Sequence, residues 1–268
     1  MSQDTAPGAL ADRRGNTLVV TINRPDARNA VNQAVSVGVG DALQQAQDDP
    51  EIWAVVITGA GDKSFCAGAD LKALSRGENI FHPDHPEWGF AGFVQHFIDK
   101  PVIAAVNGTA LGGGTELALA SDLVVAQSGA QFGLPEVKRG LIAAAGGVFR
   151  IVDQLPPKVA MQLLVTGDPI SAEEAARWGL INQVVPDGPG TPALDAALAL
   201  ADRITVNAPL AVQASKRVAA GVDDGAITAE AASWKRSNRE MRAVFSSEDA
   251  REGPLAFAQK RAPVWKAR

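Results

Sequence analysis

The sequence predicts an α/β protein. Three observations carry that prediction. Apolar runs at 16–22, 53–58, 102–106 and 123–126 alternate with helix-period patterns, as in folds built of strand and helix layers. Two stretches of small residues, 66–69 and 112–114, each stand between a strand-like run and a helix start. After a last short run at 181–185 the remaining pattern is helical.

In chain order, residues 1–8 read as a loose tail. The run NTLVVTI at 16–22 reads as a strand, preceded by a turn and stopped by Asn23-Arg24-Pro25. From 32 to 47 the apolar positions Val35, Val39, Leu43 and Ala46 recur at helical spacing, and Asp48-Asp49-Pro50 ends that helix. WAVVIT at 53–58 is a second buried strand. Gly59-Ala60-Gly61 then invites a dinucleotide-site reading, but it lacks the third glycine and no helix opens after it. SFCAGADLK at 64–72 crowds small residues before a helix near Asp70. Cys66 among them reads as a packing residue rather than a nucleophile. Residues 75–92 change in composition, with Phe81, Trp88 and Phe90 among Gly, Pro and His, and read as a long mobile loop over a pocket. His82 and His85 lie there without a third metal ligand and read as loop histidines.

The segment 101–136 is the most informative. Val102 to Val106 suits a strand closed by Asn107-Gly108, and Gly112, Gly113 and Gly114 follow. A mostly apolar helix at 115–121 comes next. Such an arrangement leaves backbone N–H groups unpaired at a helix N-terminus, where they attract negative charge. Glu116 falls in that first turn, and Glu136 lies in FGLPE beyond the run at 123–126. A buried carboxylate is costly unless paired or put to use. The glycines also suit simple close packing of a helix on a strand, with Glu116 facing water. The second stretch of the same kind upstream favours a ligand site.

Downstream, KRGLIAAAGGVFR at 138–150 is another small-residue turn leading into a helix. Further helices are expected at 158–165, from the capping box Ser171-Ala172-Glu173-Glu174 to Gly179, and at 193–204, 210–220, 228–245 and 248–260. Apolar positions Leu194, Leu198 and Ala201 suggest that the helices after Pro192 form a subunit interface.

The chain has 268 residues, 46% hydrophobic and 21% charged, enough for one large core with an appendage. A net charge of −5 disfavours a nucleic-acid binder. One cysteine excludes an internal disulfide and a cysteine metal cluster. The start lacks a signal-peptide pattern, and no apolar run approaches the ~20 residues that span a bilayer. A cytoplasmic protein is expected.

FCAGADLK, NGTALGGGTELALASDLVVA and FGLPEVKRGLIAAAGG, with NRPDARNA and SEDAREGPLAFAQKRAPVW, resemble the crotonase (enoyl-CoA hydratase/isomerase) superfamily over nearly the whole chain. The resemblance implies a ClpP/crotonase spiral of ββα repeats over 1–190 and a helical trimerisation region over 191–268. It implies a homotrimer or a hexamer built as a dimer of trimers. It implies an acyl-CoA thioester substrate, with coenzyme A as part of the substrate and no separate cofactor or metal. By motif position the oxyanion hole falls on the N–H groups of Ala69 and Gly113, and the catalytic pair on Glu116 and Glu136. Glu136 is then the proton donor to C2, and Glu116 activates the water. CoA and substrate contacts fall on Arg28, Ala67, Ala69, Asp70, Leu71, Lys72, Gly113 and Lys260. Branches with other chemistry lack a glutamate or place Asp in the later glycine turn, where this chain has Ala143-Ala144-Ala145. The C-terminal segment is similar to the carnitinyl-CoA dehydratase branch, which carries Trp at the position of Ala69. The resemblance therefore implies an enoyl-CoA hydratase. Carnitinyl-CoA dehydratase, an enoyl-CoA isomerase needing one carboxylate, and a non-catalytic acyl-CoA binder are the alternatives.

Overall fold

The computed structural model describes residues 7–268. The tail expected at 1–8 lies outside the described residues as far as residue 6. Pro7 and Gly8 are held by Asn23, whose side-chain and backbone N–H groups donate to their carbonyls.

Two sheets organise the chain. The larger has the order β1 (Ala9–Arg14), β2 (Thr17–Ile22), β3 (Ala54–Gly59), β5 (Val102–Val106), β7 (Leu123–Gln127) and β10 (Gln183–Val185). Only β1 runs antiparallel. Its inner strands are covered on both faces, so they read as unbroken apolar runs. Successive residues still face opposite sides: Val55 and Ile57 join one core cluster, Ala54 and Val56 the other. The smaller sheet has the order β4 (Ser64–Cys66), β6 (Thr109–Leu111), β8 (Gln131–Gly133) and β9 (Ile170–Ser171), the first three parallel.

The chain winds as a spiral. Each turn adds a strand to the large sheet, then one to the small sheet, then a helix start. Thus β3 and β4 lead into α2 (Leu71–Ser75), and β5 and β6 into α3 (Gly113–Ala120). β7 and β8 lead into the 3₁₀ turn Pro135–Arg139. Because β4, β6 and β8 are neighbours, their carboxyl ends bring these three starts together. That edge is where parallel sheets take ligands.

α1 (Gln33–Asp48), capped by the Asn32 side chain, buries Val35, Val39, Leu43 and Ala46 as its periodicity predicts. α4 (Gly147–Gln154), α5 (Pro157–Thr166) and α6 (Ala172–Arg177) follow, the last opened by the Ser171–Glu174 capping box.

The expectation for α7 (Pro192–Thr205) is corrected. Its apolar face is spent inside this chain: Leu194, Ala197 and Ala201 are buried with Val19, Val56, Ile103 and Val125, and Leu198 packs beside them. An amphipathic helix must cover its apolar stripe, and here the outer face of the large sheet takes it. α8 (Pro209–Ala220), α9 (Ala231–Phe245) and α10 (Glu248–Ala258) complete the chain. Between α8 and α9, a stretch not expected to hold strands forms a small hairpin, β11 (Val222–Asp223) and β12 (Ala226–Ile227).

Candidate active site

The first wall is the segment before α2. Gly68 has φ +89°, and a Cβ there would stand 3.2 Å from the Gly113 nitrogen and 3.3 Å from the Leu111 carbonyl oxygen. Only glycine allows that approach, and it brings the two small-residue stretches into contact. Ala69 pairs with Val31 as an isolated parallel bridge, in which Val31 accepts from Asp70 and donates to Gly68. Among the described residues the Ala69 N–H has no acceptor. Asp70 caps α2, accepting from Lys72 and Ala73, and pairs with Arg24 at 3.0 Å. Despite its burial its carboxyl is held below the ordinary range, by the Ala73 amide and by Arg24.

The second wall is the glycine run. Gly112 has φ +57°, and its N–H is taken by Gly133. The Gly113 N–H is the first of α3 and, among the described residues, has no acceptor, since the helix supplies none to its first amides. A Cβ at Gly113 would meet the Phe90 ring at 2.4 Å, and one at Gly114 would meet the Cys66 carbonyl oxygen at 2.0 Å. The expected aromatic cover therefore divides. Phe90 is buried against the glycine run, and Phe81 is exposed. Trp88 stacks between His85 and His96, against α1 at Gly40. His82 bonds Asp41 through Nε2 and accepts two amides at Nδ1, so both ring nitrogens are occupied. Cys66 is fully buried, its thiol pushed up to about 12 by burial, which suits the packing role expected of it.

Two carboxylates close the site. Glu116 is 4% exposed, and its Oε1 accepts from the Gly147 N–H at 2.9 Å. Glu136 comes from the 3₁₀ turn, and its Oε2 is buried without a hydrogen-bond partner among the described residues. The position a Cβ would take at Gly112 lies 2.9 Å from Glu136 Oε1, so a side chain there would displace the carboxylate. Burial raises both carboxyls well above the ordinary range, and the charge of Glu136 pushes Glu116 further. Two buried carboxyls that feel each other's charge ionise one at a time.

The remaining predicted positions are distributed unevenly. Arg28 adopts a left-handed conformation and its carbonyl accepts the Ala67 N–H, so these two stand side by side. Arg28, Ala67, Leu71 and Lys72 are exposed. Lys260, just beyond α10, makes no hydrogen bond or ion pair to any of them. The sequence reading missed Gly68 as the point of contact, Gly147 as the donor to Glu116, and Arg150. Gly68 carried a signal, as the glycine in a run of small residues. Arg150 carried none.

The raised carboxyls have a consequence for stability. A carboxyl whose folded pKa exceeds its unfolded value, ~4.3, is tolerated at low pH. It destabilises the fold increasingly as pH rises through the folded value, by about 1.4 kcal/mol per pH unit of separation. Thermal unfolding at pH 5 and pH 8.5 should therefore show Glu116→Gln and Glu136→Gln gaining melting temperature over wild type at the higher pH. Parallel pH dependence in all three proteins would mean the carboxyls ionise normally.

Relatives place this arrangement in a family. The family model described as enoyl-CoA hydratase/isomerase matches residues 12–268. The chain is 44% identical to a carnitinyl-CoA dehydratase of Salmonella typhi over 259 residues, 96% of this chain and 97% of that protein. Among solved structures it matches a carnitinyl-CoA hydratase from Mycobacterium avium at 72% identity and a TM-score of 0.96, covering 98% of this chain and 100% of the other. It matches an enoyl-CoA hydratase from Mycobacterium tuberculosis H37Rv at 46% identity and a TM-score of 0.75, with the same coverage. The spiral of strand pairs, the glycine-lined helix starts and these full-length likenesses agree that the chain belongs to the enoyl-CoA hydratase/isomerase family, the crotonases.

Proposed function

We propose that this protein adds water reversibly across the C2–C3 bond of a 2-enoyl-CoA thioester, giving the 3-hydroxyacyl-CoA. The observation that supports this best is the meeting of two acceptor-free amides with two buried, pKa-raised carboxyls at one sheet edge. The N–H groups of Ala69 and Gly113 hold the thioester oxygen as it gains enolate charge, a contribution of about 3–4 kcal/mol per donor. The pair shares one proton, and when that proton sits on Glu136 the ionised Glu116, held by Gly147, takes a proton from water as its oxygen bonds to C3. Glu136, protonated, gives its proton to C2 on the same face. The proton gained by Glu116 and the one lost by Glu136 balance over the cycle after exchange with solvent. Such acid–base help is worth on the order of 10²–10⁴-fold. Small residues at 66–69 and 112–114 let the thioester reach the backbone. The exposed Arg28 and Lys72 meet the CoA phosphates, and Lys260 is a CoA contact on the family resemblance alone.

The likeness to proteins named carnitinyl-CoA dehydratase and hydratase favours a second reading, in which the acyl group is carnitinyl. Assembly as a trimer or as a dimer of trimers is supported by the exposed apolar side chains of Val206, Leu210 and Val218 in and beside α8. A reducing cytoplasm, where acyl-CoA thioesters are made and used, suits the single thiol. The test is a panel of 2-enoyl-CoA thioesters of increasing length together with crotonobetainyl-CoA, followed by loss of the conjugated-enoyl absorbance. Hydration of at least one alkyl enoyl-CoA is expected. Turnover of crotonobetainyl-CoA alone selects the second reading, and a 3-enoyl product without hydration selects an isomerase.

A further inference from the structure

Arg150 is buried, its side chain 7% exposed. Its Nε and Nη2 donate to the two carboxylate oxygens of Glu230 at 2.8 and 2.7 Å, and Nη2 also donates to the Val94 carbonyl at 2.7 Å. Trp234 Nε1 donates to the same carboxylate at 3.1 Å, and the guanidinium lies 5.4 Å from the Trp234 ring centre. The remaining nitrogen, Nη1, is buried without a hydrogen-bond partner among the described residues. It points at Gly146, 3.1 Å from where a Cβ would stand. Gly146 immediately precedes Gly147, whose N–H holds Glu116. The cation thus stands one residue behind the donor to the buried glutamate. In a dry interior, charges act strongly over such separations.

The charges around this pair are few. Glu116 is faced by Glu136, by Arg150 from α4 and by the neutral thiol of Cys66 from β4. β5, β6 and β8 offer it no charged residue. Behind Arg150, a cavity of about 230 Å³ is lined also by Glu230, Trp234, His96, Lys216 and Asp122, and neither catalytic glutamate borders it. Lys216 and Asp122 neutralise each other at 2.6 Å, and burial holds His96 neutral, its pKa lowered to about 4.

We propose that Arg150 is a positioning residue for Glu116, and that Glu230, from the C-terminal region, sets how much of its positive charge Glu116 feels. The arginine favours the ionised form of Glu116 and braces the Gly146-Gly147 turn. The glutamate offsets part of that charge. Its kinetic consequence rests on Glu116 being a reacting group; its electrostatic consequence does not.

The test reads Glu116 directly, by ¹³C-carboxyl NMR titration in a Glu136→Gln background, so that one site titrates. The Glu116 signal is identified by its loss on Glu116→Gln. Glu230→Gln should move the midpoint down by about half a pH unit or more, since it unmasks the cation. Arg150→Gln should move it up by a similar amount, and Arg150→Lys should stay near the parent. With Glu136 intact, the pH profile of kcat should move in the same opposite directions. A merely structural role moves both variants the same way or neither, and either result overturns the proposal. If circular dichroism shows Arg150→Gln unfolded, Glu230→Gln decides alone: an unmoved or raised midpoint overturns it. Opposed NMR shifts with no hydratase activity would leave the coupling standing and fault the reaction instead.

Discussion

Replacing either Glu116 or Glu136 by glutamine should lower hydratase turnover by at least about 100-fold while acyl-CoA binding stays within a few-fold of wild type. Glutamine keeps the volume and one oxygen of each side chain, so the packing around the Gly147 N–H and beside Gly112 survives. What is lost is the ability to take or give a proton. The raised carboxyls make both losses severe, because each group sits near the proton affinity at which it can serve as acid or base near neutral pH. Single-turnover kinetics and equilibrium binding of a saturated acyl-CoA separate the two effects. Near-wild-type turnover in either variant would make that glutamate structural. The isomerase reading would then gain, since one carboxylate suffices to shuttle a proton between C2 and C4.

An equally large loss is expected at Gly113, where the donor is backbone and only proline removes it. Proline is tolerated at the first position of a helix, so α3 can still start there. Its ring will press on Phe90, as any side chain at this position would. Gly113→Ala carries the same collision but keeps the N–H. The comparison isolates the donor: Gly113→Pro should fall about 10²–10³-fold below Gly113→Ala in kcat, the worth of one oxyanion contact. Circular dichroism and acyl-CoA binding establish that both variants fold. Equal turnover in the two would remove the Gly113 amide from the reaction.

The physical reason for what the sequence disclosed lies in the strands. β2, β3, β5 and β7 are buried on both faces, so their apolar runs stand out without context. β1 (ALADRR) is an edge strand exposed from Leu10 onward, and nothing local separates it from a tail. β4, β6 and β8 have three residues each, too few to display a period. Yet these three short strands bring Gly68 against Gly113 and the Glu136 turn beside both. Ala69, Gly113, Glu116 and Glu136 were legible because each lies within a few residues of a helix start or a recognisable motif. Arg150 and Glu230 were not, being 80 residues apart and joined only by the fold. α7 shows the same limit from the other side. Its apolar face was plain, but whether that face met another subunit or its own sheet depended on the spiral being assembled.

The central claim, that the free amides of Ala69 and Gly113 together polarise a thioester carbonyl, is tested most directly by infrared difference spectroscopy of a bound cinnamoyl-type CoA thioester, with ¹³C at the carbonyl for assignment. The two N–H groups should lower the carbonyl stretching frequency relative to the same thioester in water. The shift should persist in Glu116→Gln, which leaves both donors in place, and should shrink in Gly113→Pro relative to Gly113→Ala. A folded wild-type protein that binds the thioester and leaves its carbonyl band where water leaves it would contradict the account, and would return Gly112, Gly113 and Gly114 to a packing role alone.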